Sequence, residues 1–381
     1  LSLAEIWSAD DFKEAIATLS DITTAEAHAY DLKDSSGNQM GCVHVDAITD
    51  PNVQQQLGGD VYFGLYHCKV GSEYQVRLAT SKDLMQWNFR RTLVSNADMP
   101  FLSRITDSSW LILAHEQWMN AGSTTPSRLG FKLYYNESEL LLAGSHFNSF
   151  TAPLSVGRSS QLEGTPSFYS ATITQDSKGL YMVNADVGFH FNDDKGKDQV
   201  AQGQLRSFGP TVVNPKFVNT QRSDAYDQLF IDKGAIGNIG QRAPGTLLNQ
   251  HISVQEANIG SMPPTIWADW RVWVYWFDDQ EGAVPQGKGS VTQLDVKTHG
   301  GSTAVGNPSW HVVPCPQTEE KKMERLQNRR SHSHSHSHSS SSLGTNGDDD
   351  GSCVFVSYFL FSEGAAPGEA GVAAFYKQLG A

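Results

Sequence analysis

The chain has 381 residues, 39% of them apolar, with 34 Gly, 15 Pro, 9 Trp, 12 Tyr and 18 Phe, and a formal net charge of −13. Such a balance suits a folded, turn-rich, β-leaning protein, and it argues against nucleic acid as a partner because no basic stripe is present to meet phosphates. No run of about 18 apolar residues occurs, so no helical membrane span and no membrane partner are expected.

In chain order, "SADDFKEAIATL" reads as a short helix with Ser8 as N-cap and acidic residues in its first turn. "AEAHAYDL" follows as a lone strand candidate. Five segments then share one plan: a short strand, a turn, a stronger strand, and one or two more strands, with Gly, Asn, Asp or Pro at the joins. They cover about 41–95, 96–155, 162–220, 238–297 and 303–381. Radial repetition of four-stranded antiparallel sheets at this spacing predicts an all-β, single-domain, five-bladed β-propeller with a short N-terminal helix. The fifth segment shows three clear strands, so the lone N-terminal strand is expected to supply its fourth and close the ring. Residues 317–351, which include "SHSHSHSHSSSS", are polar and low in complexity and read as a disordered insertion in the fifth blade.

Four cysteines fall in two pairs. The midpoint between Cys42 and Cys68 lies at Gln55, within a turn region, and Cys315 and Cys353 bracket the polar insertion. The spacing predicts two disulfides and a secreted or secretory-pathway protein, with buried thiols as the other reading. A monomer is expected.

In a propeller, the start of each first strand and the end of each second strand meet at one mouth. Strand-one starts offer His44, Asp46, Asp98, Glu163, Arg242 and Asn307. Strand-two ends offer His67, His115, Glu116, Asn184, Asp186, Glu256 and Glu363. Asp98 with Glu116, and Arg242 with Glu256, are centred on turns and should sit side by side. Arg242 with Glu256 reads equally as a structural ion pair or a clamp for a substrate carboxylate. Trp118 and Trp310, beside rim positions, are candidate stacking surfaces for sugar rings. The run "WADWRVWVYW" alternates like the packed face of a strand in the fourth blade. "DDKGKD", Asp193 to Asp198, reads as a solvated loop, with a structural calcium ion as its other reading. No serine-hydrolase elbow, zinc-protease helix, phosphate loop or dinucleotide fingerprint occurs in a fitting context, and no cofactor is required.

The turn "TSKDLMQWNF" is similar to the "S-x-D-L-x-x-W" of five-bladed glycoside hydrolases of families 43 and 32, and "EGTP" at Glu163 resembles the "E-G-P" around their catalytic acid. The resemblance implies a carbohydrate substrate and inverting hydrolysis of a glycosidic bond, with Glu163 as general acid, Asp98 as modulator and Asp46 as base. The family's first-blade "R-D-P" is absent, and Asp50, followed by Pro51, stands as a rival to Asp46. Such chemistry needs one protonated carboxyl at the leaving oxygen and one ionised carboxylate across the ring. A non-catalytic sugar-binding propeller, and a glycoside phosphorylase or transferase, are the competing readings.

Overall fold

A computed structural model describes residues 9–120, 126–156, 162–193, 197–210, 214–236, 239–247, 250–260, 267–277, 285–316 and 351–379. Ahead of the ring come α1 (Ala9–Leu19) and β1 (Ala27–Ala29). Blade one holds β2 (Gly41–Ala47), α2 (Pro51–Gln56), β3 (Tyr62–Val70), β4 (Glu73–Ser81) and β5 (Asn88–Ser95). Blade two holds β6 (Ala97–Arg104), β7 (Leu111–Trp118), β8 (Ser127–Tyr134) and β9 (Asn148–Thr151). Blade three holds β10 (Glu163–Gln175), β11 (Tyr181–Asn192), β12 (Asp198–Phe208) and β13 (Lys216–Arg222), and α3 (Asp224–Asp232) follows it. Blade four holds β14 (Ile239–Leu247), β15 (Gln250–Asn258), β16 (Trp270–Phe277) and β17 (Ser290–Gln293). Blade five holds β18 (Val305–Pro314), β19 (Ser352–Leu360) and β20 (Gly371–Gln378), and β1 completes it: Ala27, His28 and Ala29 pair with Tyr376, Phe375 and Ala374. The five antiparallel four-stranded sheets are those of a five-bladed propeller, closed by the N-terminal strand as the sequence predicts. Ser8 and residues 317–350 of the insertion lie outside the described residues.

The blades hold together through seams that follow from strand alternation. In β19, Val354, Val356, Tyr358 and Leu360 pack with Val254, Val272 and Val274 of blade four. The intervening Phe355 packs the other way, with Val43 and Trp87 of blade one. Phe12, Ile16 and Leu19 of α1 cap the seam between blades four and five. Between blades three and four the filler is a helix: Tyr226 and Phe230 of α3 meet Val200 of β12 and Trp273, Tyr275 and Phe277 of β16.

The "S-x-D-L-x-x-W" turn proves to be a self-satisfied link from β4 to β5. Ser81 Oγ accepts from the N–H groups of Asp83 and Leu84, Asp83 Oδ1 accepts from those of Met85 and Gln86, and Trp87 Nε1 donates to the Leu84 carbonyl at 2.9 Å. Two disulfides are corrected to one among the described residues. Cys315 and Cys353 are bonded, with Cα atoms 4.9 Å apart, whereas Cys42 and Cys68 are both thiols. The register explains this. Gly41 faces His67, and a bulge at Cys42 sends its Sγ to the Asn307 carbonyl at 3.8 Å. Cys68 packs in the seam between blades five and one, where burial pushes its thiol up to about 11.

Candidate active site at the propeller mouth

The inner strands share a device that shapes the mouth. Register shifts fall between Gly41 and His44, Asp98 and Phe101, Gly164 and Ser167, Ile239 and Arg242, and Gly306 and Ser309. Four of these bulges hold a non-glycine residue at positive φ: Cys42 at 52°, Met99 at 46°, Thr165 at 45° and Asn307 at 45°. In three of them the next residue is proline, at Pro100, Pro166 and Pro308. Proline is tolerated there because a bulge on the channel-side edge of a sheet has no ladder partner for its missing N–H. The strain, roughly 1–3 kcal/mol per residue, is held at one level of the ring.

At that level, side chains from the ends of second strands lie over glycines of first strands. A Cβ on Gly41 would overlap the His67 imidazole, one on Gly164 the Glu116 carboxylate, and one on Gly306 the Glu256 carboxylate. Gly164 and Gly306 each belong to the blade after that of the carboxylate over them, so Glu116 and Glu256 reach toward the following blade, and His67, over a glycine of its own blade, does so through Asp98. His67 Nδ1 stands 2.7 Å from Asp98 Oδ1, and the Asn307 N–H donates to Glu256 Oε2 at 2.5 Å. Asp198, at the start of β12, joins the same group, since its charge bears on both Glu116 and Glu256.

Three carboxyls, Glu116, Asp198 and Glu256, are shifted in one direction. Burial, reinforced by the charge of Asp98, pushes Glu116 up to about 8. Burial raises Asp198 to about 7 against a hydrogen bond from the Asn192 amide. Burial also raises Glu256 to about 7 against the Asn307 N–H, with Asp198 adding repulsion. Glu116 is buried, while Asp198 and Glu256 keep partial access to solvent. Past the bulges the inner strands pack on one another: buried His44 lies with its ring 4.7 Å from Phe101 and 4.2 Å from His311. Burial holds His311 down to about 3, and burial, His311 and Arg104 hold His44 well below an ordinary imidazole.

The expected catalytic trio is not brought together. Asp98 is at the mouth, but Asp46 faces Phe63 near the other end of β2, about 16 Å from Gly41 at ~3.3 Å per residue. There Arg104 Nε binds Asp46 at 2.7 Å and Arg104 Nη2 binds Glu137 at 2.7 Å, an ion-pair network on the opposite face. Asp50 caps α2 by accepting from the Asn52 N–H. Glu163 begins β10 but turns inward, fully buried, and Oε1 accepts the N–H groups of Ser155 and Val156 at 2.9 and 2.7 Å. Burial raises its carboxyl against those bonds.

Other candidates sort by register. β11 runs on to Asn192, so Asn184 and Asp186, paired with Thr172 and Ser170, lie away from the mouth rather than at it. His115 points to the opposite side of β7 from Glu116, against Gly130, and burial brings it down to about 3. Trp118 is 5% exposed with its ring 4.7 Å from Tyr74, and Trp310 is 4% exposed with Nε1 donating to the Tyr358 hydroxyl at 2.9 Å, so both are core rather than stacking surfaces. Asn307 serves the mouth through its backbone, and Glu363 is exposed just past β19. Arg242 faces Gln255 by register, and its side chain lies outside the described residues.

Three mouth features were hidden in the sequence. Asp198 is a strand start inside what reads as a loop. His190, near the end of β11, faces Gly164. Trp267 precedes β16 in a 3₁₀ turn, is 47% exposed, and stacks on Phe361 with ring centres 4.9 Å apart, so it breaks from the packed face expected of its run. Among the described residues no group of three or more His, Cys, Asp or Glu is placed to hold a metal ion, and the calcium reading of Asp193–Asp198 falls partly on residues 194–196, outside the described residues.

No family model matches the chain, and no curated protein matches it. Solved structures do resemble it. An exo-1,5-alpha-L-arabinanase from a bovine ruminal metagenomic library is 10% identical over 91% of this chain and 95% of that one, with a TM-score of 0.42. The family 32 beta-fructofuranosidase of Bombyx mori is 10% identical over 97% of this chain and 66% of that one, at 0.44. A family 43 glycoside hydrolase of Bacillus licheniformis is 7% identical over 92% of this chain, at 0.48; this chain spans about half of that protein, 54%. The likeness is one of fold. What the mouth does rests on its own residues.

Proposed function

We propose that the protein is a glycoside hydrolase whose acid and base stand at the propeller mouth, with Glu116 as proton donor and Asp198 or Glu256 as the carboxylate across the sugar. One observation carries this reading: three carboxyls from successive blades, with the charge of Asp198 bearing on both Glu116 and Glu256, are raised to about 8, 7 and 7. Such shifts collect at sites that move protons near neutrality. Glu116 keeps its proton at pH 7 and can give it to the glycosidic oxygen as the bond breaks. A partner that titrates near 7 is ionised enough to take a proton from the attacking water, and inversion is the outcome that the family resemblance implies. Trp267 offers an exposed ring at the rim for a sugar face.

The test is a panel of arabinan, xylan, fructan and fucose- or galactose-containing glycosides. Wild type should release sugar with kcat/KM highest between about pH 7 and about 8, the base setting the lower limb and Glu116 the upper. Glu116→Gln should lower kcat by ~10²–10⁴ with no fall in melting temperature. A second reading, sugar binding without turnover, is favoured by the burial of Glu163 and the far-face position of Asp46. It is the outcome if no glycoside is cleaved while wild type and Glu116→Gln bind oligosaccharide equally. Turnover that needs added phosphate would make the enzyme a phosphorylase.

A further inference from the structure

Blade three has two unlike faces. Toward blade two, Val187, Phe189, Ala201 and Leu205 are sealed in the seam. On the opposite face the same strands carry Asp186, Gln202 and Gln204, and β13 continues the polar surface with Asn219 and Gln221. A sheet face turned toward a neighbouring blade is normally apolar, as the other seams of this ring are. α3 fills this seam beside Val200, and beyond it a cleft of about 280 Å³ opens, lined by Tyr169, Asp186, Gln202, Gln204, Asn219 and Gln221, with Gln286 from the blade-four side.

The cleft is pre-organised. Asn219 Nδ2 donates to Gln204 Oε1 at 2.6 Å, and Gln204 Nε2 donates to Asp186 Oδ1 at 3.0 Å. The Ser170 hydroxyl donates to Asp186 Oδ2 at 2.8 Å, and Arg206 Nη2 stands 3.3 Å from Oδ1. Gln202 Nε2 donates to the Pro285 carbonyl at 2.8 Å. Gln202, Gln204 and Asn219 thus each use one N–H to fix the plane of the carboxamide, which leaves the second N–H for a guest, and the Gln202 and Asn219 oxygens accept no hydrogen bond among the described residues.

We infer that this cleft between blades three and four is a second binding site, for a neutral, hydroxyl-rich ligand such as one ring of a saccharide. A fixed carboxamide places a donor and an acceptor side by side, which matches neighbouring hydroxyls that each donate and accept. The one carboxylate among the lining residues, Asp186, is matched by Arg206, so the site has no excess charge to select an ion. The volume is at the small end of ligand clefts, suited to a single ring. It is a binding site and not a second centre of cleavage, because two carboxyls would be needed for that.

The experiment uses the full chain carrying Glu116→Gln, to keep any turnover at the mouth out of the measurement. Xylotriose and arabinotriose are titrated while the side-chain amide NMR signals of Gln202, Gln204 and Asn219 are followed. The expected result is saturable movement of those signals with at least one probe. The double variant Gln204→Ala/Asn219→Ala should weaken binding at this site about tenfold, the loss of one or two hydrogen bonds. Signals that stay still with both trisaccharides, or an unchanged affinity in a folded double variant, overturn the site. If the double variant fails to fold, the amide signals of the parent chain decide alone. The mouth reading has a separate readout, sugar release by wild type, so either can fail without the other.

Discussion

Glu163 and Asp98 both stand at the head of an inner strand, yet only Asp98 meets the mouth cluster. Counted back from the proline after each bulge, Asp98 is two residues ahead of Pro100, and the matching residue ahead of Pro166 is Gly164. Glu163 is one place further back, and because side chains alternate along a strand, one place turns it into the blade. There it ties the segment at Ser155 and Val156 to β10. Glu163→Gln should therefore lower stability by ~1–3 kcal/mol, read as a fall in Tm, with kcat changed only as far as the folded fraction changes. Gly164→Ala should do the reverse: a Cβ there displaces the Glu116 carboxylate and lowers kcat out of proportion to any loss of Tm. Measuring kcat and Tm on both variants separates the roles. Loss of turnover in Glu163→Gln at an unchanged Tm would return the proton donor to Glu163.

Elements were far more legible than the site. Strands such as β16 and β19 announce themselves because their two faces enter two apolar seams, and the lone strand at Ala27–Ala29 is identifiable because the fifth sheet lacks an edge. The bulges are not announced by hydropathy, since they insert a residue without changing polarity, and each one shifts which side chains point at the axis. A signal does exist. "DMPF", "GTPS" and "GNPS" repeat a proline after the positive-φ residue at the same level of three blades, and aligning on it places Gly164, not Glu163, beside Asp98. Asn184 and Asp186 were misplaced because β11 runs longer than its apolar stretch suggests. The contribution of the N-terminal elements can be measured. Phe12 of α1 is 1% exposed and meets Trp276 at 5.4 Å between ring centres, and Lys377 Nζ donates to the Thr18 carbonyl and the Thr24 hydroxyl. Phe12→Ala should cost ~3–5 kcal/mol in chemical denaturation. A loss below 1 kcal/mol in the same assay would mean that α1 does not cap the blade-four and blade-five seam.

For the molecule as a whole, the carboxyls that equip the mouth also help to set how stability depends on pH. Glu116 and Glu256 would lose their protons near 4.5 in the unfolded chain, but hold them to about 8 and about 7 when folded; Asp198 shifts from 3.8 to about 7. Across that window the folded state binds more protons, so these carboxyls make stability fall as pH rises. His115 and His311 act in the opposite sense. The unfolded chain protonates them near 6.5 and the folded chain only near 3, so they make stability fall as pH drops through that interval. Glu137 and Asp34 are held below their ordinary values: burial opposes this, but the N–H and hydroxyl donors around each carboxylate outweigh it. They add stability above their unfolded values that is lost on acidification. The two trends oppose each other between about 4.5 and 6.5, and above 6.5 only the carboxyl trend remains. Stability should therefore peak in mildly acidic solution and decline toward pH 8, below the range proposed for turnover. Thermal melts from pH 4 to 9 would show the peak, and Glu116→Gln should flatten the alkaline side, because it removes the group with the largest raised value. A wild-type Tm that climbs steadily from pH 6.5 to 8 would mean that the mouth carboxyls are ionised at little cost, and the acid assigned to Glu116 would have no proton to give.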